Sequence, residues 1–120
     1  MDKPAPRSSE DFISPGGEVI FVLITTGSRA EADTIARRLV EERLAACVNI
    51  ISQVRSLFSW EQKLSEEDEA LLIVKSRRPL FCRLADRVRS LHSYTVPEII
   101  ALPVLEGSAA YLKWIGEVTG

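Results

Sequence analysis

The apolar positions along this chain follow two periodicities, one typical of strands and one typical of helices. Residues 18–25 (EVIFVLIT) are apolar at consecutive positions, which indicates a strand covered at least in part on both faces. Apolar residues at helical spacing then predict one amphipathic helix over about 29–45. Ser28 and Glu31 have the S-x-x-E spacing of a capping box, in which each side chain satisfies a backbone N–H of the other residue.

A long hairpin is predicted in the middle of the chain. Residues 47–60 are rich in strand-forming residues, but Ile51 interrupts their alternation, so we expect a bulge or bend near 52–53. Residues 61–63 are the expected turn, although they contain no Gly or Asn to relax it. The return strand is expected to end at Val74.

A second helix, a fourth strand and a terminal helix complete the pattern. Pro79, whose fixed φ suits a first helical turn, precedes apolar residues at helical spacing up to Leu91. Residues 96–104 predict a strand. Ser108 is the expected N-cap of a short final helix. The residues that this helix is expected to bury are Tyr111, Leu112 and Ile115.

The order strand, helix, strand, strand, helix, strand is the split βαβ order of ferredoxin-like sandwiches. Right-handed crossovers place both helices on one face of a four-stranded antiparallel sheet. The predicted fold is therefore α+β, with a long central hairpin, a short C-terminal helix and one uncovered sheet face. Because the hairpin is longer than a helix pair can cover, we assign Leu57, Phe58 and Trp60 to an interface between copies of the chain. The alternative is a flexible hairpin arm.

Composition narrows the class of protein. The chain has 120 residues, 46% of them hydrophobic, and a formal net charge of −2, which suits one globular domain and excludes the basic surface that nucleic acid requires. Residues 1–17 are rich in Pro, Ser and Gly and are expected to form a disordered tail ahead of a domain over 18–120. No apolar run is long enough to span a membrane, and no signal peptide is recognised. Cys47 and Cys82 are accordingly expected to be reduced thiols in a cytoplasmic protein.

Five segments together resemble one known family, the CutA or divalent-cation tolerance proteins. They are 44–50 (LAACVNI), 60–63 (WEQK), 69–75 (EALLIVK), 91–104 (LHSYTVPEIIALPV) and 111–115 (YLKWI). The resemblance implies a ferredoxin-like fold and a homotrimer in which long hairpins wrap neighbouring subunits, an architecture shared with the PII signalling proteins. It also implies a role in tolerance of, or response to, copper and other divalent cations.

The resemblance implies a metal site whose expected ligands are only partly present. In the family, copper binding is attributed to a cysteine at the end of the first strand and to adjacent histidines before a Pro-Tyr pair. Thr25 and Leu91 occupy two of these positions, so His92 is the remaining candidate ligand, with Cys47 as a second one. Copper or another divalent cation is therefore expected to bind weakly. The alternative role of His92 is structural, at a helix C-terminus where it organises a turn.

The trimeric clefts of the family also imply a ligand site lined by charged and aromatic side chains. The candidates in this sequence are Glu69, Lys75, Tyr94 and Glu98. The alternative is that the charged residues form solvated ion pairs, each contributing about 0–1 kcal/mol.

Three functions remain open at this stage. The first is a homotrimer that binds a metal ion or a small ligand at subunit boundaries and reports it to a protein partner. The second is a trimeric scaffold that anchors another protein. The third, an acylphosphatase-like enzyme, is disfavoured because Asn49 lies within a strand and residues 26–29 are too short to cradle a phosphate. A single histidine and no nucleophile elbow also disfavour a hydrolytic triad, so we do not expect an enzyme.

Overall fold

The computed structural model describes residues 11–16 and 18–120. The strands are β1 (Phe12–Ile13), β2 (Val19–Thr26), β3 (Cys47–Trp60), β4 (Lys63–Arg77), β5 (Ile99–Pro103) and β6 (Gly107–Ser108). The helices are α1 (Arg29–Glu41), α2 (Phe81–Leu91) and α3 (Ala109–Val118), and a 3-10 turn over Arg78–Leu80 leads into α2. No helix within the described ranges is long and apolar enough to cross a membrane.

Four strands form one antiparallel sheet in the order β3-β4-β2-β5, which is the order of a ferredoxin-like sandwich. Helices α1 and α2 pack on one face of this sheet, because their apolar stripes join alternate residues of β2 and β4 in a single core. The fully buried side chains of that core include Val22, Ile24, Ile35, Leu39, Leu72, Val74, Leu84 and Val88. The predicted α+β fold is confirmed.

The other face of the sheet is covered only at one end. Leu112 and Ile115 of α3 pack there against Val19. Tyr111 was predicted to be buried with them, and this is wrong: it is 39% exposed because it lies at the rim of the covered area, with its ring centroid 5.6 Å from Lys75 Nζ. The rest of this face, across β5, β2, β4 and β3, carries apolar side chains that no element of the described chain covers.

Helix α1 is shorter than predicted and ends at Glu41. The chain turns there through Arg43, which has a φ of 60°. The N–H of Leu44 donates to the carbonyl of Leu39 at 2.9 Å, and that of Arg43 to Val40 at 3.1 Å, which is the hydrogen-bond pattern of a Schellman motif. The sequence signal was missed because arginine occupies the left-handed position that glycine usually takes.

The central hairpin has the predicted irregularity, but its return strand ends at Arg77, three residues beyond the predicted end at Val74, because Ser76 and Arg77 still pair with Ile20 and Val19 of β2. Regular pairing of β3 with β4 shifts between Ile51 and Val54, which confirms the expected bulge. The turn contains only Glu61 and Gln62, with φ of 50° and 65°, because Lys63 already pairs with Trp60 in the ladder. Two positive φ values are what a two-residue type I′ turn requires, and here two non-glycine residues adopt them.

Strand β5 is shorter than the predicted strand over 96–104. It begins at Ile99 because pairing with β2 stops at Ile24, near the end of that strand. Pro97 has no N–H to extend a ladder, and Val96 is 86% exposed. Residues 92–98 consequently form an irregular connection that crosses the end of the sheet.

The structure describes only part of the predicted N-terminal tail over residues 1–17. Residues 1–10 and Gly17 lie outside the described residues, so disorder there stays a prediction. Phe12 and Ile13 form β1, which pairs with Ser108 and Gly107 of β6. The sequence pattern predicted that order begins at Glu18. Regular structure begins earlier, because β1 pairs with β6, which directly precedes α3.

Candidate functional site

A cleft of about 260 Å³ opens at the bulge of β3. Its lining comes from three elements: residues 27–29 at the start of α1, residues 52–53 of the bulge, and residues 68–70 of β4. The bulge makes room for the cleft, since two residues of β3 stand opposite a single position of β4 and the ladder resumes only at Val54 and Glu69. Polar backbone and side-chain groups from α1, β3 and β4 therefore line one concave surface.

The wall formed by α1 is fixed by hydrogen bonds. Ser28 is the N-cap, and its Oγ accepts the N–H of Glu31 at 3.1 Å, as predicted. The reciprocal half of the predicted capping box is wrong, because the Glu31 carboxylate accepts the N–H and the Oγ–H of Ser93 at 3.0 and 2.9 Å. Buried Thr26 supports the same turn by donating its hydroxyl to the carbonyl of Ser28 at 2.8 Å. Glu31 thus ties α1 to the connection that follows α2.

His92 is the C-cap of α2, and both of its ring nitrogens are engaged. Nδ1 accepts the N–H of Tyr94 at 3.0 Å, so Nε2 carries the proton and donates to the carbonyl of Thr25 at 2.7 Å. The ring therefore organises the turn after α2 and joins it to the end of β2. A metal ion could reach a lone pair of this ring only by displacing one of the two hydrogen bonds.

Tyr94 does not line the cleft itself but contacts two residues that do, Glu69 and Gly27. Its hydroxyl donates to Glu69 Oε2 at 2.9 Å, and its ring lies 4.8 Å from that of His92. Burial, and then the hydrogen bond to Glu69, raise the pKa of Tyr94 to about 12. A Cβ at position 27 would stand 3.2 Å from the tyrosine hydroxyl, so Gly27 allows this close approach.

The four residues predicted to line one ligand cleft fall into different places. Glu69 and Tyr94 meet directly. Lys75 is six residues along β4 from Glu69, a span of about 20 Å, and its ammonium lies 5.6 Å from the Phe21 ring centroid. Glu98 is exposed just before β5 and does not line the cleft at the bulge. Within one chain, therefore, the structure brings together half of the predicted set.

The donors for a soft metal ion are also dispersed. Cys47 is half-buried on β3, directly opposite Lys75 of β4. Thr25 offers His92 its backbone carbonyl and has no soft donor, and Leu91 packs against the helix-covered core. Among the residues described, no group of three His, Cys, Asp or Glu side chains is placed to hold a metal ion. A single chain does not fit the soft-metal site that the family resemblance implies.

The predicted interface residues stand on the hairpin beyond the core. Leu57 and Trp60 are 59% and 64% exposed, and Phe58 is exposed as well. Sequence reasoning missed Leu64, which pairs with Ser59 and is 78% exposed. Its signal was the same as theirs, an apolar side chain on a strand that extends past the helices.

The cleft residues Arg29, Ser52, Gln53 and Asp68 were also missed. The sequence indicated the bulge and the start of α1 separately, but it contained no signal that the two would face each other. For the third function considered above, Asn49 pairs with Ile73 of β4 and does not line the cleft, and Ser28 is used as a helix cap. The structure therefore does not assemble the acylphosphatase-like arrangement from these residues.

Fold and site together define a ferredoxin-like α+β domain with a polar cleft at a strand bulge and an uncovered apolar sheet face. The sequence model of the CutA1 divalent ion tolerance protein family matches residues 20–118 of the chain. The chain therefore belongs to the CutA family.

Individual relatives agree with this membership. The divalent-cation tolerance protein CutA of Thermus thermophilus is 52% identical over 99 residues, which are 82% of this chain and 96% of that protein. Human Protein CutA is 42% identical over 117 residues, which are 98% of this chain and 65% of the human protein, so the chain spans just under two thirds of the human length.

Solved structures agree as well. The divalent cation tolerance protein of Thermus thermophilus superimposes with a TM-score of 0.84 at 51% identity, covering 85% of this chain and 99% of that one. CutA1 of Oryza sativa gives 0.84 at 38% identity, covering 86% and 94%. The resemblance seen in the sequence is confirmed.

Proposed function

We propose that this chain is a non-enzymatic divalent-cation tolerance protein that works as a homotrimer and binds a metal ion or a small ligand at its subunit boundaries. The observation that carries the proposal is the uncovered apolar face of the sheet, which continues onto the projecting hairpin. A PII-like trimer, as the family resemblance implies, would cover this face with two further copies of the chain.

The hairpin supports assembly through its chemistry. Leu57, Trp60 and Leu64 present large apolar side chains to water on a two-stranded extension that α1 and α2 do not reach. Apolar burial is worth about 25 cal/mol per Å², so covering such residues stabilises the assembled state. A two-stranded ribbon is also marginal when it is isolated in water, and docking on a neighbouring subunit would hold it in place.

The metal part of the proposal follows from the donors. His92 uses both ring nitrogens internally, and Cys47 is the remaining soft donor among the predicted ligands. A copper ion would therefore need ligands from more than one subunit, or would displace the hydrogen bond of His92 to Thr25 or Tyr94. We expect weak copper binding that depends on assembly.

The cytoplasm is the proposed compartment. Cys47 and Cys82 are both free thiols, which suits a reducing environment. A protein partner that reads the bound state, or that is anchored by the trimer, stays a prediction from the family resemblance.

The experiment that tests the proposal measures mass and folding together. Light scattering of the purified chain should give three times the chain mass of 13.4 kDa, and Trp60→Glu should shift the population toward the single chain by placing a charge in the interface. Val96→Glu adds the same charge at another exposed apolar position, outside the hairpin, and should leave the mass unchanged. A well-folded species of one chain mass at all concentrations would contradict the proposal.

A further inference from the structure

The cleft at the β3 bulge contains opposite charges that do not neutralise one another. Arg29 at the start of α1 lines it together with Asp68 and Glu69 of β4. Within residues 11–16 and 18–120, none of these three side chains takes part in an ion pair, although six other ion pairs form elsewhere. The cleft therefore has cationic and anionic groups available to one ligand.

The bulge adds uncharged donors and acceptors. Ser52 and Gln53 lie in the bulge, where neither residue has a partner in the register of β3 and β4. Their hydroxyl and carboxamide can each donate and accept hydrogen bonds. A ligand in the cleft can thus be oriented by hydrogen bonds as well as by charge.

Tyr94 controls how one of the carboxylates is presented. Its hydroxyl donates to Glu69 Oε2, which fixes the carboxylate and leaves Oε1 free of any described hydrogen bond. Tyr94 is itself anchored because its N–H donates to His92 Nδ1. We regard Tyr94 as a positioning residue for Glu69.

Size and charge limit the ligand class. The volume of about 260 Å³ is below the range of about 300–1,000 Å³ that holds drug-sized ligands, so the charged part of the ligand is small. The lining contains one guanidinium and two carboxylates, a net negative balance that disfavours a polyphosphate. A neighbouring cavity shares Arg29 and Ser52 and is lined also by Ala30, Asp33 and Ile50, which gives space for the remainder of the ligand.

We propose that this cleft binds the α-amino and α-carboxylate groups of a free α-amino acid. The carboxylate of the ligand meets Arg29, its ammonium meets Asp68 and Glu69, and its side chain extends toward the neighbouring cavity. The inference deepens the proposed function, since it rests on the chain being a ligand-binding protein and names the class of small ligand.

The test is calorimetric titration of the full chain with L-leucine and two derivatives. N-acetyl-L-leucine lacks the ammonium and L-leucinamide lacks the carboxylate, so each should bind about ten- to a hundredfold more weakly than leucine because one charged group of the cleft loses its partner. Absence of binding by leucine at millimolar concentration, or equal binding of all three compounds, would overturn the inference.

Variants of the chain give an independent test. Arg29→Gln and Asp68→Asn should each weaken leucine binding about tenfold or more. Arg38→Gln is the matched control, because Arg38 is exposed farther along the same helix and lines neither cavity; it should bind leucine as the unmodified chain does. If Arg29→Gln and Arg38→Gln behave alike while circular dichroism shows both folded, the site is not this cleft.

Light scattering on the same samples separates the two ideas. A trimer that does not bind leucine contradicts this inference and leaves the proposed assembly standing. A single chain that binds leucine supports the cleft and contradicts the assembly.

Discussion

The two faces of the sheet use neighbouring residues of the same strands in opposite ways. On β4, Leu72 and Val74 point to α1 and α2 and are fully buried, whereas Leu71 and Ile73 point to the other face and stay partly exposed. All four are large and apolar, a sequence pattern that predicts a strand covered on both faces. Within one chain, therefore, the helices α1 and α2 cover the first face, whereas α3 covers only one end of the second.

The largest effect on the free energy of unfolding is expected for substitutions at the adjacent residues Leu71 and Leu72. Leu72→Ala should lower the free energy of unfolding by about 2–5 kcal/mol at every protein concentration, since the cavity lies inside one chain. Leu71→Ala should have an effect that grows with protein concentration and shrinks on dilution, because in the proposed trimer this face packs against another copy. Urea unfolding at two widely separated protein concentrations measures both.

Equal, concentration-independent losses for the two variants would contradict this contrast. They would mean that the uncovered face is already stabilised within one chain.

A second prediction concerns the turn that ends the hairpin. Replacing Glu61 by Asn and Gln62 by Gly should raise the free energy of unfolding by about 1–2 kcal/mol, because both positions have positive φ. Lys63→Gly is the control and should be destabilising, since Lys63 already belongs to β4. Thermal unfolding followed by circular dichroism reports all of these chains.

The same measurement tests whether the hairpin unfolds cooperatively with the rest of the domain. If the double change leaves the unfolding transition where it was, the hairpin contributes nothing to cooperative stability, and the flexible-arm alternative gains support.

The smallest effect is expected at Tyr94. Its pKa is raised to about 12, above the ordinary value of 10.0. The folded chain therefore holds a proton that the unfolded chain loses, so this contribution is fully present below pH 10 and is lost as pH rises toward 12. The unmodified chain should lose stability across that window more steeply than Tyr94→Phe.

Tyr111→Phe is the control for that measurement, because Tyr111 lies over Lys75 and makes no hydrogen bond to a carboxylate among the described residues. Urea unfolding at a series of alkaline pH values provides the comparison. Identical slopes for the unmodified chain and Tyr94→Phe would mean that folding does not raise the pKa of Tyr94.

Sequence patterns predicted the elements better than the connections between them. The strand over 47–60 and its bulge were confirmed, since strand propensity and a break in alternation are local properties. The end of α1 was missed, because Arg43 adopts a left-handed conformation that its residue type does not signal. The length of β5 was also missed, since it depends on where its neighbour β2 stops pairing.

The candidate site, too, was only partly predictable from the sequence. His92 and Tyr94 stood out as a rare histidine and a nearby aromatic residue, but the roles of their polar atoms depend on partners more than twenty residues away, Thr25 and Glu69. Arg29 and Asp68 are ordinary surface charges until the fold places them at one cleft. The spacing of residues along the chain does not indicate that Arg29 and Asp68 will line the same cleft.

Local periodicity and composition were enough to predict the order of strands and helices, the bulge, and a sheet face left uncovered by the helices. The family was identified from the resemblance of particular segments, such as residues 44–50 and 91–104. Only the tertiary structure decided that both nitrogens of His92 are occupied, that Glu69 meets Tyr94 while Lys75 lies far along the same strand, and that a charged cleft opens at the bulge. The physical reason is that hydrogen bonds and clefts join residues distant in sequence, and their geometry exists only once the sheet has formed.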